Sequence, residues 1–122
     1  MGMATESGIA SALPYPSRRE LDLAAVLHAL SDPVRLRIVA GLAAGDERTC
    51  SSFVLPVVKS TCTHHFKVLR EAGVICQRLE GTTKLNSLRR QDLDARFPGL
   101  LDAILRSTCA RGGEQTPAGA SR

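Results

Sequence analysis

The stretch STCTHHFKVLREAGVI, Ser60 to Ile75, sets one cysteine and two adjacent histidines within four residues. Thiolate and imidazole are the ligands zinc favours, so the first chemistry to weigh is a metal site. Helical geometry decides how far that goes. At 3.6 residues per turn, Cys62, His65, Phe66, Leu69 and Ala72 fall on one side, and Ser60, His64, Lys67 and Glu71 on the other, with Thr63 at its edge. The adjacent histidines therefore point apart. Cys62 and His65, spaced i,i+3, are two ligands where a structural zinc site takes four. Cys62 reads better as a small core residue and His65 as a half-buried one. The other face, with Ser60, Thr63, His64 and Lys67, is polar and needs its own explanation.

The four cysteines stand at positions 50, 62, 76 and 109, with no C-x-x-C among them. The zinc-ribbon and thioredoxin patterns are both absent. No metal site and no cofactor is expected. The sequence has neither a glycine-rich phosphate loop nor a nucleophile–base motif, so it does not read as an enzyme. His28 reads as a packing or capping residue.

What must position these residues is a chain of 122 residues, enough for one modest core. Hydrophobic residues make up 43% but aromatics only 3%, so the core is built from Leu, Val, Ile and Ala, which favours packed helices. No apolar run approaches the ~20 residues of a membrane helix, and no signal pattern opens the chain. A cytoplasmic protein with reduced thiols and no membrane partner is expected. The net charge is +4, yet between Lys59 and Arg90 seven basic residues face only Glu71 and Glu80. A basic segment around a polar helix face suggests a polyanion.

Along the chain, residues 1–17 read as a flexible arm and 109–122 as a disordered tail, leaving 18–108 as the folded domain. Leu23, Val26, Leu27 and Leu30 recur at helical spacing over Glu20–Leu30. Asp32-Pro33 then caps and opens a second helix, with Val34, Ile38, Val39 and Leu42 facing inward. Thr49 is the expected cap of a short third helix through Phe53, and Pro56 forces a turn. The helix of the opening stretch begins near Lys59 and stops at Gly73. Val58 is a poor N-cap, and Ser60 is the alternative, which would shift the helix start. Val74–Leu79 and Thr82–Leu88 form a hairpin around Glu80-Gly81. A helical turn over Arg89–Ala95 and a last helix with Leu100, Leu101, Ile104 and Leu105 follow. The fold class is mainly α with a small β-hairpin: a short helix, a turn, a second helix and a basic wing make a winged helix-turn-helix.

Three separated blocks, ALSDPVRLRIVAGL (29–42), KSTCTHHFKVLREAGVI (59–75) and EGTTKLNSL (80–88), resemble the ArsR/SmtB family of bacterial repressors over roughly residues 20–107. The resemblance implies a homodimer that pairs through its first and last helices, binds double-stranded operator DNA and releases it when an effector binds. It places base reading at Lys59, Ser60, Thr63 and His64, three of which lie on or beside the polar face found from periodicity. Lys67 lies one turn further, within reach of phosphate, and Arg78 and Lys84 flank the wing turn with the same expected role. Where the family often has Ser, this chain has Val58.

Metal-sensing members carry a Cys-x-Cys pair on the third helix or Asp and His ligands on the last. Here Cys50 has no second cysteine beside it, and all three histidines precede residue 66. The effector, whether metalloid, oxidant, small molecule or none, is left open by the sequence; if release is thiol-based, the expected site is Cys50, with or without Cys109. The competing reading, a winged-helix module that binds protein without sequence-specific DNA binding, would call for an apolar outer face on residues 59–71.

Overall fold

The computed structural model describes residues 11–115 apart from Asp46, Cys50, Ser51, Val54 and Pro56, with the backbone alone for Ser11 and for 109–115. Helix α1, Leu23–Ala29, starts where the Asp22 carboxylate accepts the Ala25 amide at 3.0 Å. The 3-10 turn Arg18–Glu20 precedes it, so α1 is shorter than periodicity suggested. Helix α2, Pro33–Ala43, is capped by Asp32, which accepts the Val34 and Arg35 amides at 2.8 and 3.2 Å. Pro33 at the first position gives up an amide that no helix could pair. Helix α3 is Lys59–Ala72 and ends at Gly73, whose φ of 89° suits glycine alone. Helix α4, Arg90–Arg96, and helix α5, Leu100–Gln115, close the chain.

The hairpin is β3, Ile75–Glu80, and β4, Thr83–Leu88, paired from Ile75↔Leu88 to Glu80↔Thr83. Two short strands flank it: β1, Ser11–Ala12, on the β3 edge, and β2, Arg48–Thr49, on the β4 edge. All the pairings are antiparallel. Thr49 thus ends a strand, and the Ser52 hydroxyl donates back to its carbonyl at 2.7 Å. The rest of the expected short helix falls partly outside the described residues.

Two boundaries move for physical reasons. Residues 11–17, expected in a flexible arm, lie along the β3 edge, where unpaired backbone groups recruit a partner. Leu13 donates to the Gln77 carbonyl at 2.9 Å, and the Pro14 and Pro16 carbonyls accept Arg70 and Arg89, each at 2.7 Å. At the other end, α5 runs through Gln115, past the expected limit of 108. A low apolar content does not stop a helix whose backbone bonds are already propagating.

One core joins the elements. Val26, Ala29, Ile38, Val39, Leu42, Phe66, Leu69, Val74, Ile75, Leu93 and Leu101 are all buried. Arg35 is buried among them. Its Nε donates to the Ala29 carbonyl at 2.6 Å, and its Nη1 lies 3.2 Å from Nδ1 of His65. A guanidinium only donates, so in this contact the His65 ring nitrogen is the acceptor. Arg35 thereby ties the negative end of α1 to the middle of α3. Gly41 lets the segment before α3 approach α2: a Cβ there would sit 2.6 Å from the Phe53 ring.

Candidate nucleic-acid interface

The site begins with how α3 is held. Phe66 and Leu69 are fully buried and His65 is nearly so, and this fixes the opposite face toward solvent. Val58 is the N-cap, with φ −72° and ψ 163°, and its side chain makes no capping bond. The Cys62 amide donates to its carbonyl at 2.9 Å, so the helix starts at Lys59 and Ser60 lies inside the first turn. Among the described residues, the first amides of α3 have no side-chain acceptor.

With that start settled, Lys59, Thr63, Lys67, Ser60 and His64 fan across an arc of about 140° at 100° per residue. All five are exposed. None of them makes a side-chain hydrogen bond or ion pair among the described residues. From Lys59 to Lys67 the face runs about 12 Å along the axis. Exposed Glu71, one turn further, marks its acidic end.

The wing adds one cation to this face and not the two expected. In the hairpin register Leu79 pairs with Lys84, while Arg78 pairs with Leu85. Successive side chains alternate across a strand, so Lys84 and Arg78 project from opposite faces of the wing. Lys84 is exposed and unpaired among the described residues. Arg78 is held by both oxygens of Glu47, at 2.8 and 2.7 Å, with Glu80 at 3.6 Å. Hydrogen bonding from Arg78 draws the Glu47 carboxyl below its ordinary range, and the same pair raises Arg78. Arg78 faces a cleft of about 710 Å³ between the end of α2 and the wing, lined by Leu42, Ala43, Leu85, Ser87 and Arg90. It is a brace of the fold, and its sequence proximity to the turn concealed that.

Most arginines follow Arg78, although Arg19, Arg37 and Arg106 are exposed and make no side-chain bond among the described residues. Arg18, Arg35, Arg48, Arg70, Arg78, Arg89, Arg90 and Arg96 all bond to acceptors within the fold. The chain has only three lysines, Lys59, Lys67 and Lys84, and all stand on α3 and the wing without a partner among the described residues. Arginine's planar fork suits carbonyls and carboxylates, whereas lysine is a hydrated point charge on a flexible stem. Sequence reasoning counted charge in this segment but could not see that four of its seven cations are already spent. A finer signal was available in residue type.

No group of three or more His, Cys, Asp or Glu that could hold an ion exists among the described residues. Cys62 and Cys76 are half-buried. Cys50 lies outside the described residues, and of Cys109 only the helical backbone is described. No helix among the described residues is long and apolar enough to cross a membrane.

Comparison with known proteins agrees with this geometry. A helix-turn-helix domain family matches residues 30–78, from the end of α1 into the wing. The chain is 38% identical over 84 residues to the uncharacterized HTH-type transcriptional regulator YceK of Bacillus subtilis (strain 168), spanning 66% of this chain and 84% of the relative. An ArsR-like transcriptional regulator from Rhodococcus sp. RHA1 superposes with a TM-score of 0.53 at 23% identity, covering 79% of this chain and 87% of that one. The solvent face of α3, the wing and these likenesses agree: the chain belongs to the HTH-type transcriptional regulators and has the ArsR-like winged helix-turn-helix fold.

Proposed function

We propose that this regulator is a homodimeric repressor that binds double-stranded operator DNA, with α3 in the major groove and the wing on flanking phosphates. The observation that carries this reading is the collection of every lysine in the chain on α3 and the wing, beside Ser60, Thr63 and His64, with no internal partner among the described residues. Ser60, Thr63 and His64 offer donors and acceptors to base edges, and Lys59 lies at the same end of the helix. Lys67 and Lys84 neutralise phosphate, which positions the protein without reading sequence. A polar outer face on α3 favours DNA over a protein ligand.

Dimerisation rests on α1. Leu23 and Leu27, one turn apart, remain 45% and 44% exposed, an unusual setting for two leucines on so short a helix. Val26, Leu30 and Leu101, expected to share that face, are buried in the monomer core, while Ile104 and Leu105 are half-buried. The dimer surface proposed is therefore narrower than periodicity alone indicated.

Release by an effector would fall to thiols. Cys62 and Cys76 pack within the fold, which leaves Cys50, close before α3 in sequence, and Cys109 on α5. A thiol-specific agent should release DNA from the wild type and fail to release Cys50→Ser. Full response of Cys50→Ser would assign release elsewhere. The reading as a whole is tested by selection from a random duplex pool: an enriched inverted repeat supports it, and a pool left unenriched by the protein removes it.

A further inference from the structure

Two buried amides link the wing to α3, and neither belongs to the exposed face. Gln77 is 3% exposed and Asn86 is not exposed at all. Arg70, in the last turn of α3, donates from Nε to Gln77 Oε1 at 2.9 Å. Gln77 Nε2 donates to Asn86 Oδ1 at 2.7 Å, and Asn86 Nδ2 donates to the Arg48 carbonyl at 3.0 Å. Arg48 in turn holds the Ser52 carbonyl at 2.9 Å and stacks its guanidinium 4.1 Å from the centre of the Phe53 ring. Phe53 meets Phe66 of α3 at 5.7 Å between ring centres. The relay therefore leaves α3 near its C-terminal end, crosses β3, β4 and β2, and returns to its middle.

The ends of the relay fix its direction. Arg70 can only donate and a backbone carbonyl can only accept, so both amides have one workable orientation. An apolar pair would fill the same space but would tolerate sliding, whereas directed bonds in a dry interior specify one arrangement. Lys84 stands two residues from Asn86, on the same strand face.

We infer that Gln77 and Asn86 are positioning residues for DNA recognition, setting the offset between α3 and the wing so that Lys84 meets phosphate while Ser60, Thr63 and His64 are in register with base edges. The inference rests on the DNA-binding reading above. The relay touches no DNA itself.

The test is a double-mutant cycle on the full chain, between Gln77→Met, which ends the relay, and Lys84→Ala, which removes the wing contact. The probes are a duplex enriched by the wild type and a scrambled duplex, with affinity read by fluorescence anisotropy and stability by urea midpoint. Lys84→Ala should weaken both duplexes, by about tenfold on the enriched one. Gln77→Met should weaken the enriched duplex comparably and leave the scrambled duplex unchanged. Adding Lys84→Ala to Gln77→Met should then cost less than about twofold, because the wing no longer arrives in register. Losses that multiply in the double variant, or wild-type affinity in Gln77→Met, would overturn the inference. If Gln77→Met does not fold, Gln77→Glu keeps the Arg70 bond, faces Asn86 Oδ1 with an acceptor, and is judged by the same readout. Failure of the DNA-binding reading looks different: the wild type enriches no duplex, and the inference falls with it.

Discussion

His64 and His65 are adjacent, and their surroundings give them opposite tasks. His65 is buried, with its Nδ1 3.2 Å from the Arg35 guanidinium. His64 is exposed and unpaired among the described residues. The sequence already separated them, because a helix turns 100° per residue. It could not reveal Arg35, which lies thirty positions away and meets His65 only once α1, α2 and α3 have packed. If His64 reads a base edge, His64→Ala should cost about 1–3 kcal/mol on an enriched operator and little on scrambled DNA. Equal losses on both duplexes, measured by anisotropy, would make His64 a backbone contact.

Among the elements, the wing shows where sequence reading stops. Its strands, its glycine turn and its basic character were all legible, since alternation and Glu80-Gly81 need no tertiary knowledge. The partner of Arg78 was not, because Glu47 precedes it by 31 positions and arrives with β2. Strand parity makes the two wing cations separable. Lys84→Ala should lower affinity for all DNA and flatten the salt dependence while leaving the urea midpoint unchanged. Arg78→Ala should lower the urea midpoint and leave the salt dependence unchanged. The second loss carries a pH signature. The Glu47 carboxyl is drawn below 4.5 by hydrogen bonding from Arg78. A depressed carboxyl contributes stability above its unfolded value, and that contribution disappears as pH falls through the folded one. The midpoint difference between wild type and Arg78→Ala should therefore be full at neutral pH and shrink as pH falls below 4.5. A difference that persists unchanged in acid would mean that Arg78 acts through packing. The strand at Arg48–Thr49 was hidden for a related reason: its partners on β4, Asn86 and Leu85, lie far along the sequence.

For the whole molecule, charge and apolar surface are sorted onto different regions. Most described arginines stitch the elements together, lysines face outward from α3 and the wing, and Leu23 and Leu27 stand exposed on α1. Overall charge and periodicity announced a winged, DNA-directed fold, but the sorting needed coordinates, because which leucines remain outside depends on which helices have claimed the others. Leu23→Glu with Leu27→Glu should leave the fold intact and shift sedimentation from dimer to monomer, since these side chains lie outside the monomer core. A double variant that sediments as the wild type would move the interface away from α1. The central claim is that the free lysines form the DNA contact and carry none of the fold. The most direct measurement is the salt dependence of duplex binding for the wild type and for Lys59→Ala, Lys67→Ala and Lys84→Ala combined, with thermal unfolding alongside. The triple variant should unfold at the wild-type temperature, and its slope of log affinity against log salt should be smaller by about two per protomer, one for each phosphate-neutralising lysine. A triple variant that binds DNA with the wild-type slope would contradict the account.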